Sequence, residues 1–267
     1  MTKIDKPNSV FSEYDIFNGE IEATMQSLET GDCWLLSGVN ALNTTNWGKK
    51  IIKNALRPDG EGGAIVTLKG ADSKQKEYRV TIADLDKALA NGKYSVGDDD
   101  MLAIEIAVEK YAKAQIAAGK LNKNPEDVLT GSIDRNIFYL LSGTPSHDFH
   151  KNDKNIDSAL DKIRLNPGKY SAYCGFKEDS EYLEKNHAYA IKEIKQDKNG
   201  NKFVLLINSQ DSTDPEIVPY EEFRSNLNIL FVLDDPANPD KELKSEVDIL
   251  SEEIEALKKQ EIESAEN

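Results

Sequence analysis

The chain has 267 residues, 39% hydrophobic and 30% charged, enough for a substantial buried core in one large domain or two lobes. Its 33 basic and 48 acidic residues leave a net charge of −15, a poor match for nucleic acid or anionic membrane surfaces. No apolar run approaches the roughly 20 residues that span a bilayer, and two cysteines make no disulfide framework.

Residues 1–30 mix acidic and apolar residues and read as irregular chain. Met1 to Phe17 is polar and lacks the apolar core of a secretory signal, and with only two cysteines a reducing cytoplasm is expected. Thr30-Gly31-Asp32-Cys33-Trp34-Leu35-Leu36-Ser37 then places a cysteine where a loop turns into a helix. Trp34, Leu35, Leu36, Val39 and Leu42 supply one buried helical face. Cys33 falls in the first turn, where the helix dipole favours a thiolate and lowers the thiol pKa. Residues 33–56 read as two helical pieces broken at Asn43-Thr44-Thr45. The 57–63 stretch is turn-rich, and 64–68 with 78–82 form a strand hairpin. Asp99 to Ala118 is a helix that buries Leu102, Ile106, Val108 and Tyr111, with Glu105 or Glu109 beside them.

Asn155 to Leu165 reads as a short helix stopped by Pro167-Gly168. Strands are expected at 170–174, 187–191, 203–207 and 229–233. The pattern is α+β, with helices first and an antiparallel sheet second. It divides the chain into a helical lobe, 1–130, a sheet lobe, 131–235, and a charged amphipathic C-terminal helix, 236–267. In that helix Asn238-Pro239-Asp240 makes a cap and first turn. Leu243, Val247, Leu250, Ile254 and Leu257 then form an apolar seam that packs on the body or on a partner, a coiled-coil dimer being one form.

Three histidines occur. His147 and His150 flank Asp148 in a polar stretch read as surface loop rather than metal site. His187 opens an apolar strand, and Asn208 ends the next. A cysteine protease needs a thiol, an imidazole base and a polar side chain that orients the ring. Cys33, His187 and Asn208 supply these in chain order. Pairing His187 directly opposite Asn208 centres the turn between Asp197 and Lys198. A tight two-residue turn at Asn199-Gly200 shifts the register by four residues. A wider loop over Gln196 to Gly200, with positive φ at Gly200, is therefore expected. Oxyanion donors would be the Cys33 N–H and the side-chain amide of Gln26.

Together these stretches resemble the calpain family of papain-like cysteine proteases. Gly31-Asp32-Cys33-Trp34-Leu35-Leu36 is similar to the nucleophile motif, Asn186-His187-Ala188-Tyr189 to the histidine motif, and Ile207-Asn208-Ser209 to the asparagine motif. Glu109 to Lys113 and Glu126 to Gly131 resemble the helix after the first lobe's sheet and the segment joining the lobes. The resemblance implies a two-lobed papain-like fold and endopeptidase activity on proteins or peptides, through a thiolate–imidazolium pair. Three positions depart from the family. Gln26 stands one residue farther from the cysteine, Gln210 replaces a shielding tryptophan, and Asn186 replaces a glycine. No EF-hand occurs; Asp211, Asp214 and Glu216 offer oxygen atoms for calcium, but a solvated acidic loop is the simpler reading. Two other functions fit parts of the pattern. A transglutaminase-like acyltransferase also uses Cys-Trp and Cys-His, though with an aspartate; a non-catalytic interaction protein would keep only the fold. The C-terminal helix is a candidate regulatory element.

Overall fold

The computed structural model describes residues 21–72, 75–133 and 135–265, with side chains as far as Gln260. Residues 1–20 of the expected irregular start lie outside the described residues.

The chain opens with α1 (Cys33–Asn43) and α2 (Asn46–Ala55), followed by β1 (Leu56–Pro58), β2 (Ala64–Thr67) and β3 (Glu77–Val80). Thr45 breaks the first two helices as the sequence suggests, because its side chain accepts from Gly48 N and caps α2. The expected hairpin is β2–β3, with β1 added on its other edge. Ile82, expected in the second strand, instead opens α3 (Ile82–Asn91). The reason is local: Thr81 and Asp84 exchange hydrogen bonds in a capping box. Then comes α4 (Asp99–Ala117), capped by Asp98, whose side chain accepts from Met101 N. Its expected apolar positions are buried, and so are Glu105 and Glu109.

After a 3-10 turn at Pro125–Asp127 come α5 (Ile137–Ser142), β4 (His147–His150) and α6 (Ile156–Leu165). The sheet strands β5 (Tyr170–Phe176), β6 (Ala188–Gln196), β7 (Lys202–Asn208) and β8 (Glu216–Pro219) follow, then α7 (Tyr220–Asn226), β9 (Leu227–Asp234) and α8 (Glu246–Ala265). The larger sheet runs β4-β9-β5-β6-β7-β8 and is antiparallel throughout. His147 to His150, expected as surface loop, is therefore an edge strand. Phe149 carries it, fully buried against the sheet core.

Among the described residues, two apolar cores hold the fold together. One gathers residues of α1 to α5 and the small sheet; the other lies between the large sheet, α6 and α7. Ile137, Phe138, Leu140 and Leu141 belong to the first, so the helical core extends past residue 130 to α5. Helix α1 joins the halves. Leu35, Leu36, Val39 and Leu42 are fully buried, each worth about 1.5–3 kcal/mol. The same core takes in Tyr173, Ala190 and Leu233 from the large sheet. Ser37 Oγ donates to Ala188 O at 2.8 Å, a buried bond from α1 to the first residue of β6.

The β6–β7 connection is a wide loop as expected, but it spans 197–201 rather than Gln196 to Gly200. Gln196 pairs with Lys202, Asp197 N donates to Asn201 O, and Gly200 has φ +92°. Its register corrects the expected direct pairing. Asn208 lies opposite Tyr189, one same-face step from His187, and His187 precedes the strand. An extra residue between Ile191 and Glu193 bulges β6 and changes the register along the pair.

The C-terminal helix also starts later than Asn238-Pro239 suggests. Residues 235–245 form a strap held on the body. Asp240 accepts from Lys162 Nζ at 2.9 Å and Lys169 Nζ at 3.3 Å, and also from the Tyr170 hydroxyl. Leu243, expected to begin the helical seam, is buried in the sheet core. Ser245 and Asp248 then cap α8: Asp248 N donates to Ser245 Oγ at 3.2 Å and Ser245 N to Asp248 Oδ2 at 2.7 Å. Among the described residues no helix is long and apolar enough to cross a membrane.

Candidate active site

Cys33 is the first residue of α1, where the helix leaves N–H groups without helical partners. Two neighbours brace the loop before it. Gly131 N donates to Gly31 O at 2.9 Å, and Gly31 N to Thr130 Oγ1 at 3.1 Å. A Cβ at Gly31 would sit 2.9 Å from Thr130 Cγ2, so the glycine is needed for close approach. Trp34 Nε1 donates to Leu129 O at 2.8 Å, fastening the first helical turn to the same segment.

Cys33, Trp34, Asn186, His187 and Ala188 line one cleft of about 750 Å³, with Ile133, Tyr173, Ile229 and Phe231 among its apolar walls. Asn186 turns the chain into the site at φ +55°. Glycine and asparagine are the residues that accept that conformation readily, which accounts for asparagine here. His187 Nε2 donates to Asn208 Oδ1 at 2.8 Å, with both residues buried. Asn208 Nδ2 donates to Glu216 Oε1 at 2.8 Å. That second bond fixes which end of the amide faces the ring. An acceptor at Nε2 makes Nε2 the protonated nitrogen and leaves Nδ1 with a lone pair. Tyr189, two residues on and on the same face, packs its ring edge-on against His187 at 4.9 Å.

Around this pair the sequence-based expectations divide. No hydrogen bond joins Cys33 to His187. The thiol is also not lowered. Burial pushes it above its ordinary 9.0; the Ala188 N–H opposes the rise, the Asp32 carboxyl adds to it, and the N–H groups of Trp34 and Cys33 pull it down. Loss of water contact outweighs the helix-start amides that were expected to favour the thiolate.

Gln26 does not offer a free donor to the cleft. Its Nε2 donates to Thr30 O at 2.9 Å and Asp32 Oδ1 at 3.1 Å, which uses both N–H groups. Its Oε1 accepts from Ser209 Oγ at 2.9 Å, and that hydroxyl lies 3.3 Å from His187 Nε2. Gln26 thus ties the loop before Cys33 to the end of β7. Asp32, at the cap position, makes no capping bond and turns inward instead. It meets Glu105 of α4, which accepts from Ser95 N at 3.2 Å. Burial raises both carboxyls, and the proximity of the two under the cysteine loop disfavours ionising them together.

Gln210 fills the place expected for a tryptophan. Its N donates to Asn208 Oδ1 at 3.0 Å and its Nε2 to Glu184 Oε2 at 2.8 Å, so only its backbone touches the pair and its side chain turns to Glu184. The calcium candidates do not converge. Glu216 is turned to Asn208, and Asp211 Oδ1 accepts from Thr213 N at 3.0 Å. Among the described residues no group of three or more histidines, cysteines or carboxylates is placed to hold a metal ion. The sequence reading missed the contacts of Tyr189 and Ser209 and the Asp32–Glu105 pair, and it offered Glu216 to calcium rather than to Asn208. Strand alternation from His187 could have found Tyr189; the others depend on contacts between distant segments.

His147 and His150 lie on β4, and His147 contacts α8 instead of the cleft, its Nδ1–H donating to Asp248 Oδ2 at 2.9 Å. No family model matches this chain, and no curated protein matches it.

Proposed function

We propose that this protein is a calpain-like cysteine endopeptidase with a papain-like, two-lobed arrangement around the Cys33–His187 cleft. The observation that carries the reading is the His187–Asn208–Glu216 chain at the edge of a cleft that Cys33 also lines. Asn208 holds the ring so that Nδ1 is the basic nitrogen, as a general base requires. Cys33 begins the reaction as a neutral thiol, because burial raises it. As Sγ attacks a peptide carbonyl, its proton passes to His187. The imidazolium then gives that proton to the leaving amine, and water releases the acyl group from sulfur. The contact tightens on substrate binding, as catalytic hydrogen bonds in free enzymes commonly do. N–H groups in the first turn of α1 stabilise the oxyanion. Gln26 and Ser209 position the loop and the ring.

Purified protein should hydrolyse an unstructured protein substrate, and Cys33→Ala should abolish both hydrolysis and labelling by a peptide electrophile. Cys174 is fully buried and serves as the internal control. Asn208→Ala should lower kcat by on the order of 10²-fold or more. Hydrolysis that survives Cys33→Ala would overturn the proposal. The raised thiol and the missing tryptophan favour a second reading, a non-catalytic protein that keeps the site's architecture. It predicts no labelling of Cys33 at neutral pH even with a cleft-filling peptide. Incorporation of an amine without peptide cleavage would point instead to acyl transfer.

A further inference from the structure

Helix α8 stands out from the body. Its first turn is tied down by the His147–Asp248 contact and by Glu246 N donating to Asp153 Oδ2 at 2.7 Å. From Ile249 to Gln260 every residue is exposed. Yet Val247, Leu250, Ile254 and Leu257 recur at spacings of 3, 4 and 3, and they are 54%, 57%, 44% and 61% exposed. On a helix of 3.6 residues per turn these four make one stripe. Asp248, Ser251, Glu252 and Glu255 line the crevice between α8 and the body, on a different side of the helix. Single exposed helices of this length are marginal in water, so such a stripe needs a partner.

The pattern of side chains specifies that partner. Counting Val247 as heptad position a, the a positions are Val247 and Ile254 and the d positions Leu250 and Leu257. β-Branched residues at a with leucine at d favour two parallel strands. Glu253 falls at g and Lys258 at the following e. In a parallel pair those positions meet across the interface, so two copies form two opposite-charge contacts, each Glu253 facing the partner copy's Lys258. An antiparallel pair would set the glutamates of the g positions, Glu246 and Glu253, against one another.

We propose that α8 is the dimerisation element of this protein. It pairs in parallel with α8 of a second copy through Val247, Leu250, Ile254 and Leu257, with Glu253 and Lys258 setting the register. Leu243 takes no part, because the strap before α8 buries it in the sheet core. The inference is independent of whether Cys33 reacts.

Sedimentation equilibrium of the full chain at physiological ionic strength tests it, since the charge of −15 per copy must be screened. Apparent mass should double between low and high micromolar concentration. Leu250→Glu should keep the protein monomeric at every concentration. Glu253→Lys and Lys258→Glu should each weaken the dimer, and the double exchange should restore it. In a Cys33→Ser background, Leu250→Cys should form an intermolecular disulfide on oxidation, because parallel pairing sets residue 250 beside itself. The near-UV dichroism of each variant should match the parent, since the altered side chains are exposed. A monomer at all concentrations would overturn the proposal. So would a dimer untouched by Leu250→Glu, or one in which the two charge changes do not compensate.

Discussion

At the scale of single residues, the site shows burial overruling a local preference. A cysteine at a helix start should ionise easily, but Cys33 is half-buried in the cleft wall and burial raises its thiol. The effect has a kinetic signature. Alkylation of Cys33 by a small neutral reagent should keep accelerating through and beyond pH 9.0, its ordinary value. A rate already level near neutrality would show a thiolate–imidazolium pair formed before substrate binds. Asn186 illustrates the reverse, a local demand met by an unexpected residue. Its positive φ is what a glycine would supply, and asparagine is the side chain that concedes least there.

At the scale of elements, α1 is the piece on which both cores depend. Gly38 faces α5, and a Cβ there would lie 2.0 Å from Ile137 Cγ2. Exchange of glycine for alanine inside a helix normally gains about 1 kcal/mol. Here the buried Ile137 cannot step aside, and overpacking costs about 1–3 kcal/mol. Gly38→Ala should therefore lower the urea midpoint with an unchanged m-value, whereas a gain in stability would mean that α1 and α5 separate easily. The β6–β7 pair makes a related point. Its loop and Gly200 follow from the sequence, but the bulge between Ile191 and Glu193 shifts the ladder. His187 therefore reaches Asn208 diagonally, from one residue before the strand.

At the scale of the whole molecule, His147 joins the sheet edge to the C-terminal segment. Its ring is flanked by Asp248 of α8 at 2.9 Å, Asp234 of β9 at 3.9 Å, and Asp148 of its own strand. Burial opposes the charge, but the bond to Asp248 and the fields of the three carboxylates prevail, and the pKa is raised. A raised imidazole pKa stabilises the fold fully below the ordinary value of 6.5, and that contribution disappears as pH rises through the folded-state value. Asp248 is lowered in the same contact, so its share is present above 3.8 and is lost on acidification. The contact should be strongest between those two ranges. Wild type minus His147→Gln melting temperature should fall between pH 6 and pH 8.5, and amide protection factors in the first turn of α8, corrected for the intrinsic pH dependence of exchange, should fall in wild type only. A flat difference would show that His147 stays neutral.

The sequence by itself determined the elements whose signals are local. Periodic apolar residues mark α4, α6 and the inner strands, Thr45 caps α2, and the Gly31-to-Leu36 run places a cysteine at a helix start. It also supplied the wide loop before β7. Tertiary structure alone decided which of these side chains meet. Gln26 faces Asp32 and Ser209 because two segments far apart in sequence close on it, and Glu105 sits beneath the cysteine loop because α4 runs through the core. Leu243 and Val247 are equivalent in spacing, yet the Asp240 contacts press one into the sheet core and leave the other in water. Periodicity and capping are properties of neighbours in the chain. Burial, the raising of neighbouring carboxyls and register across a bulge depend on partners whose positions only packing defines.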